Sequence, residues 1–145
     1  ATFTRNCYNL ESRRDNENMQ LTLNNEINLG DQTELIHEVH SCDFIQKGDF
    51  AYLTYHNEEK EKVVVKFNHE SMVMTRFSSP KSVMRFHHKE PALVMIPTPL
   101  GIQRLATATE YYHLDMDKQK LTIHYKLTQE NGASFASYRL SLSWG

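Results

Sequence analysis

Hydrophobic and polar residues alternate along most of the chain. The alternation is clearest from Met19 to Leu29, where methionine, leucine and isoleucine positions are separated by glutamine, threonine, asparagine and glutamate. A period of two residues is typical of a β-strand with one buried and one exposed face. The same pattern returns from Leu121 to Leu127 and from Ala136 to Trp144, and no segment carries a convincing helical period. The pattern predicts an all-β protein.

Short groups of turn-forming residues separate the predicted strands. Residues 30–31 (Gly-Asp), 47–49 (Lys-Gly-Asp) and 131–132 (Asn-Gly) are of the kind that joins antiparallel strands. The most distinctive group, Pro-Thr-Pro-Leu-Gly at residues 97–101, lies within the stretch from Pro91 to Thr109 and predicts a hairpin corner. About ten strands follow, at residues 19–29, 33–45, 50–55, 63–67, 71–77, 82–88, 92–96, 102–109, 121–127 and 133–144.

The second predicted strand, residues 33–45, alternates less regularly than the others. Leu35, Ile36 and Val39 do not share one parity, so they cannot all lie on the same face of a regular strand. A β-bulge, which inserts one extra residue into a strand, would restore the register. We therefore expect a bulge in this segment.

Short connections between strands favour antiparallel neighbours, and the simplest topology is a meander. Closing such a sheet on itself removes its exposed edges, so we predict a single up-and-down barrel of about eight to ten strands. A barrel of this size can hold its own side chains and one small ligand. A two-sheet sandwich is the alternative. The barrel domain is assigned to residues 19–145, and residues 1–18, which show no sustained period, are assigned to an N-terminal arm.

Composition narrows the possible partners. The chain has 145 residues, enough for one domain, and a formal net charge of −2, which offers no electrostatic case for nucleic acid. Its longest apolar run, residues 92–96, is too short for a membrane span. Cys7 and Cys42 do not form a disulfide framework. We expect a cytoplasmic monomer or homodimer.

Motifs for catalysis or metal binding are absent from the sequence. His37 and His40 are three positions apart, so on a strand they point to opposite faces and cannot share a metal ion. Cys42 lies in a predicted strand, where it is expected to be a small core residue. No cofactor or metal is predicted, and an enzyme is the least favoured hypothesis; its best base would be His124 with Glu110 or Asp115.

Two arginines are the strongest candidates for ligand binding. Arg76 and Arg85 flank one turn, and on a shared inner face their guanidinium groups would bind a carboxylate or phosphate. However, the parity of Met84 and Phe86 favours an outward Arg85, and the arginines could instead be solvated or paired with Glu110. Further polar contacts to a small hydrophobic or anionic ligand are predicted at Tyr55, Thr107, His124 and Tyr125.

A protein interaction module is the competing hypothesis. The segment Tyr-Tyr-His-Leu at residues 111–114 is aromatic, and surface tyrosines often anchor interfaces. A free strand edge would serve the same purpose. Alternatively, this segment is the end of a strand that closes the barrel.

Several fragments occur in an order that resembles a known family. They are Tyr-Leu-Thr-Tyr at 52–55, Arg76 with Arg85 and Phe86, Thr-Pro-Leu-Gly at 98–101 with Thr107 and Thr109, and the strand 121–127. In this order they resemble the YwiB-like family of uncharacterised bacterial barrels with a calycin-like, lipocalin-related fold. The chain departs from the family at Ser78, where a glycine is frequent, and at Ile96, where an aromatic residue is frequent. The resemblance implies a bacterial, cytoplasmic barrel with a cavity, and no particular reaction.

Overall fold

The computed structural model describes residues 19–145, apart from the side chain of Phe135. Ten β-strands make up this part of the chain, with no helix among them. Their bounds are β1 Gln20–Asn28, β2 Thr33–Lys47, β3 Phe50–His56, β4 Lys62–Phe67, β5 Ser71–Arg76, β6 Ser82–His87, β7 Ala92–Thr98, β8 Gly101–Asp115, β9 Lys120–Thr128 and β10 Ser134–Trp144.

The strands form a closed antiparallel barrel. Each strand pairs with the next one along the chain, and β1 pairs with β10, so that Leu21 lies opposite Trp144. The prediction of an all-β up-and-down barrel is confirmed, and the two-sheet sandwich is excluded. Closure pairs the two terminal strands, which would otherwise leave open edges at either end of the meander.

Large apolar side chains fill one end of the barrel, which we call the floor. Phe67, Met72 and Leu142 are fully buried there, and the Trp144 ring packs against Phe67 with a centroid distance of 5.2 Å. Burying a side chain of this size contributes about 1.5–3 kcal/mol. The floor is therefore a tightly packed part of the core.

The opposite end of the barrel, which we call the mouth, is more open. Along β5 the inward side chains change from buried Met72 to half-buried Met74 and then to exposed Arg76. On β1 the sequence runs from buried Leu23 to half-buried Asn25. In contrast, β9 keeps its inward side chains buried up to its last apolar residue. Exposure of the inward side chains therefore increases towards the mouth along β1 and β5, and does not increase along β9.

Bulges occur in other strands than expected. β2 pairs with β1 through residues 33–41 and with β3 through residues 42–47, and neither ladder shows a register shift. The predicted bulge in β2 is therefore wrong. Its mixed parity has another cause: Leu35 and Val39 face outward and are exposed. The register shifts instead between Thr109 and Tyr111 in β8, and also at the start of β10.

The predicted hairpin corner at residues 97–101 lies at the mouth end. In an antiparallel meander successive turns alternate between the two ends of the barrel, and the turn from β7 to β8 is one of those at the mouth. β7 continues through Pro97 to Thr98, two residues beyond its expected end. The Thr98 hydroxyl donates to the carbonyl of Gly101 at 2.6 Å and accepts from the N–H of Leu100 at 3.2 Å. Gly101 has a φ of 118°, a conformation that favours glycine.

Candidate functional site

Polar side chains from several strands gather on the inner surface of the mouth. β2 contributes Glu38 and His40, whose register partners on β1 are the buried residues Leu23 and Leu21. Arg76 lies opposite buried Val63 and therefore faces the same interior. An apolar barrel with a few polar groups at its open end is the general form of a small-molecule site.

His40 connects a carboxylate to a tyrosine ring. Its Nε2 lies 2.7 Å from Oε1 of Glu38, and its imidazole stacks on Tyr55 with a centroid distance of 4.6 Å. The His40 side chain is only 9% exposed. This contact holds the Glu38 carboxylate and the Tyr55 ring on one side of the mouth.

The Tyr55 hydroxyl is influenced by charges of both signs. Burial raises the pKa of Tyr55 to about 12, with a further increase from Glu38 and an opposing effect of Arg76. Since both charges act on this group, the Glu38 carboxylate and the Arg76 guanidinium both lie near the Tyr55 hydroxyl. Tyr55 stays neutral at physiological pH and can donate a hydrogen bond.

Arg76 is held loosely. Its Nε is 3.8 Å from Oε1 of Glu61, and its side chain is 50% exposed. The Glu61 carboxylate also accepts a hydrogen bond from the Asn57 amide at 3.0 Å. An exposed pair of this length contributes little stability, so the guanidinium can exchange Glu61 for another anion at low cost.

Aromatic rings from β6, β9 and β10 meet inside the barrel. Tyr125 stacks on Tyr138 with a centroid distance of 4.6 Å and an interplanar angle of 4°, and Phe86 meets Tyr125 edge-on, also at 4.6 Å. Burial raises the pKa of Tyr125, and a hydrogen bond from Asn25 partly offsets this effect. The three rings therefore pack against one another next to the Asn25 amide.

Two buried polar atoms near these rings have no hydrogen-bond partner among the described residues: Oδ1 of Asn25 and Oγ1 of Thr109. Both belong to the surroundings of Tyr125, because Asn25 bonds to its side chain and Thr109 is its register partner on β8. Buried polar groups are nearly always paired, so both atoms call for an explanation.

The residues predicted from sequence divide between the two faces. Tyr55, Arg76 and Tyr125 face the interior, as does Thr107, which is fully buried. The Thr107 hydroxyl donates to the carbonyl of Arg85 at 2.6 Å, so it connects β8 to β6. Thr107 therefore stabilises the packing of β8 against β6. Its hydroxyl proton is engaged in this bond and cannot be donated to a ligand.

Arg85 does not meet Arg76. It is exposed and lies opposite Val73, on the face that alternates with inward Met84 and Phe86. The arrangement in which both guanidinium groups enter one cavity does not form, because the two arginines occupy opposite faces of the sheet. The orientation favoured by the parity of β6 is the observed one.

His124 also faces outward, where it lines a shallow surface groove of about 290 Å³. Its ring lies 5.0 Å from that of Tyr111, and Lys126 Nζ is 3.4 Å from Oε2 of Glu110. Glu110 thus pairs with a lysine on the outer surface. The groove is lined by Glu26, Asn28, Glu110, His124, Lys126, Ser137, Tyr138 and Arg139.

The segment 111–114 does not present a continuous aromatic patch. Tyr111 and His113 are exposed, whereas Leu114 is buried and the Tyr112 hydroxyl donates to the carbonyl of Asn68 at 2.8 Å. The alternation of a strand therefore splits this segment between the two faces.

His37 and His40 lie on opposite faces, as predicted. His37 Nδ1 is 2.6 Å from Oδ1 of Asn24 on the outer surface, whereas His40 faces the interior. Within residues 19–145, no three His, Cys, Asp or Glu side chains are grouped so as to hold a metal ion. Cys42 is buried, and burial raises its pKa to about 12, so its thiolate is scarce.

Three mouth residues escaped the sequence prediction: Asn25, Glu38 and His40. The signal for Asn25 was a polar residue at an apolar position of the alternation, between Leu23 and Ile27. The signal for Glu38 and His40 was their even spacing from Cys42, because residues two and four positions from an expected core residue lie on the same face of a strand. Polar residues at inward positions were thus the informative ones.

Comparison with known proteins supports the fold. The chain is similar to the ywiB protein from Bacillus subtilis, whose crystal structure matches with a TM-score of 0.72 at 18% identity, over 87% of this chain and 89% of that one. A comparison with curated proteins finds no match. The described residues contain no helix long and apolar enough to cross a membrane.

A family model described as "Domain of unknown function (DUF1934)" matches residues 21–142. This match and the similarity to ywiB confirm the resemblance inferred from the sequence. Since the matched region covers most of the chain, the protein belongs to the DUF1934 family.

Proposed function

We propose that the barrel binds a small amphipathic acid in its mouth and catalyses no reaction. The observation that carries this proposal is the rising exposure of inward side chains along β1 and β5 towards the mouth, whereas β3, β4 and β9 keep their inward side chains buried. On β5, for example, Met72 is fully buried and Arg76 is exposed although both face inward. Met74, which lies between them on the same face and inside the strand, is only half-buried.

The composition of the wall supports an amphipathic ligand. Met74, Met84 and Ile96 are partly buried and pack against the core, so they leave apolar surface at the mouth. Methionine side chains adapt to ligands of irregular shape. These residues would contact the apolar body of the acid.

Arg76 is the proposed anchor for the carboxylate. Its guanidinium can bind a carboxylate through two parallel hydrogen bonds, and its contact with Glu61 is long. The neutral Tyr55 hydroxyl would donate a further hydrogen bond to the same group. The ligand carboxylate would replace Glu61 as the partner of Arg76.

Native mass spectrometry of protein purified from cells, followed by denaturing extraction, tests this proposal. We expect the wild-type protein to release a stoichiometric organic acid. Arg76→Ala should lower the affinity for a labelled carboxylate by about tenfold or more, since it removes a charged hydrogen-bond donor.

Arg85→Ala is the matched control, because it removes an arginine from the neighbouring strand on the outer face. It should leave binding unchanged. Equal losses in the two variants, or an empty wild-type protein that takes up no carboxylate, would contradict the proposal.

Self-association is the second candidate function. Among the described residues, 33–41 of β2 pair with β1 alone, and Leu35 and Val39 on this segment are 78% and 49% exposed. An edge of this kind can pair with a second copy. The same native spectra would then show a dimer without a ligand, and Leu35→Lys would convert it to a monomer.

We also propose a bacterial, cytoplasmic setting. The similarity to a protein of Bacillus subtilis supports the bacterial origin. The thiol of Cys42, buried without a disulfide, is in keeping with a reducing compartment. Fractionation of the native cells with a specific antibody would test the location.

A further inference from the structure

We infer that the ligand is a hydroxy-substituted carboxylic acid, whose hydroxyl group binds the wall opposite Arg76. This inference rests on the proposed function and specifies its ligand. It is carried by Asn25 Oδ1 and Thr109 Oγ1, two buried polar atoms that have no hydrogen-bond partner within the part of the chain that the structure describes.

The hydrogen bond between Asn25 and Tyr125 determines what Asn25 can still bind. Since Oδ1 of Asn25 has no hydrogen-bond partner among the described residues, this bond is donated by the Asn25 amide nitrogen to the Tyr125 oxygen. The carbonyl oxygen of Asn25 remains, and a carbonyl oxygen only accepts. Its missing partner is therefore a donor.

The Thr109 hydroxyl gives the site a second polar contact. A hydroxyl can both donate and accept, so it can bind a polar group of the ligand. A plain fatty acid would leave both protein atoms unpaired inside the barrel, which is unfavourable. A ligand with a hydroxyl group satisfies at least one of them.

The two ends of the site lie on well separated walls. Arg76 is on β5 and Asn25 is on β1, which is four strands away around the ten-strand barrel, so the two side chains face each other across the interior. A ligand that contacts both must carry its carboxylate and its hydroxyl at opposite ends. The rings of Phe86, Tyr125 and Tyr138 favour a flat, aromatic body between them.

Calorimetric titration of the full chain with 4-hydroxybenzoate and 4-fluorobenzoate tests this inference. The two acids have similar size, and only the first carries a donor opposite its carboxylate. We expect 4-hydroxybenzoate to bind about tenfold more tightly, because it satisfies a buried acceptor that 4-fluorobenzoate leaves unpaired. Equal affinities, or tighter binding of 4-fluorobenzoate, would overturn the inference and leave the proposed function standing.

Single substitutions show which residues cause the preference for 4-hydroxybenzoate over 4-fluorobenzoate. Asn25→Leu should abolish the difference between the two acids, whereas Asn24→Leu, the outward neighbour, should preserve it. If Asn25→Leu does not fold, Thr109→Val replaces it and should reduce the preference. A preference that survives in a folded Asn25→Leu variant would contradict the assignment, and failure of both acids to bind the wild-type protein overturns inference and proposed function together.

Discussion

Two threonines on β8 share an inward direction and differ in hydrogen bonding. The Thr107 hydroxyl donates to the carbonyl of Arg85 at 2.6 Å, and the Thr109 hydroxyl has no partner among the described residues. The bond of Thr107 matters because β6 and β7 share a single register pair, Val83 with Met95. The Thr107 side chain therefore supplies a hydrogen bond to β6, where the backbone ladder between β6 and β7 is short.

Thr107→Val should therefore destabilise the protein, since it leaves the buried carbonyl of Arg85 unpaired at equal side-chain volume. We expect a loss of about 1–3 kcal/mol in the free energy of unfolding, measured by urea titration. Thr109→Val is the matched control and should be neutral or slightly stabilising. Equal effects of the two substitutions would show that the bond to β6 contributes nothing.

The turns show how local sequence terminates an element. Gly48 and Gly101 both have positive φ, at 61° and 118°, and a Cβ added at either would meet nothing within 4 Å. Any cost of substitution therefore comes from the backbone alone. The value at Gly48 lies in the left-handed region that asparagine tolerates, whereas the value at Gly101 lies outside it.

Gly101→Asn should cost about 1–3 kcal/mol in the free energy of unfolding, because only glycine adopts this backbone conformation without strain. Gly48→Asn should be almost neutral. Chemical denaturation of the two variants side by side measures the difference. A similar loss at both positions would contradict the assignment of strain to the corner.

Raised tyrosine pKa values affect the stability of the whole molecule. An unfolded tyrosine loses its proton near pH 10, whereas burial raises the pKa of Tyr55 to about 12. Between these values the unfolded chain has lost a proton that the folded barrel retains, so stability is complete below pH 10 and falls as the pH rises. Burial acts in the same direction on Tyr112, Tyr125 and Tyr138.

Tyr55→Phe should flatten this alkaline loss. Between pH 10 and pH 11 the variant should lose up to about 1.4 kcal/mol less stability than the wild-type protein, because it lacks one titrating group. Guanidinium titrations at each pH measure the change. Tyr111→Phe, at an exposed tyrosine, is the control and should lose as much stability as the wild-type protein. An equally large loss in the Tyr55→Phe variant would show that Tyr55 does not cause the alkaline loss of stability.

The fold could be predicted from the sequence because its determinants are local. The period of two from Met19 to Leu29 and the Asn-Gly turn at residues 131–132 depend only on neighbouring residues. The corner at residues 97–101 has the same local origin. The bulge expected in β2 failed because its irregular parity came from outward apolar residues, which a local pattern cannot distinguish from a shift in register.

The sequence by itself determined the strands, their antiparallel order and the outward face of Arg85, since parity and turn chemistry are properties of consecutive residues. Only the tertiary structure decided which end of the barrel opens. It also brought Glu38 and His40 to Tyr55, and Asn25 to Tyr125. These contacts depend on how strands remote in sequence align around the closed barrel, and no single strand carries that information.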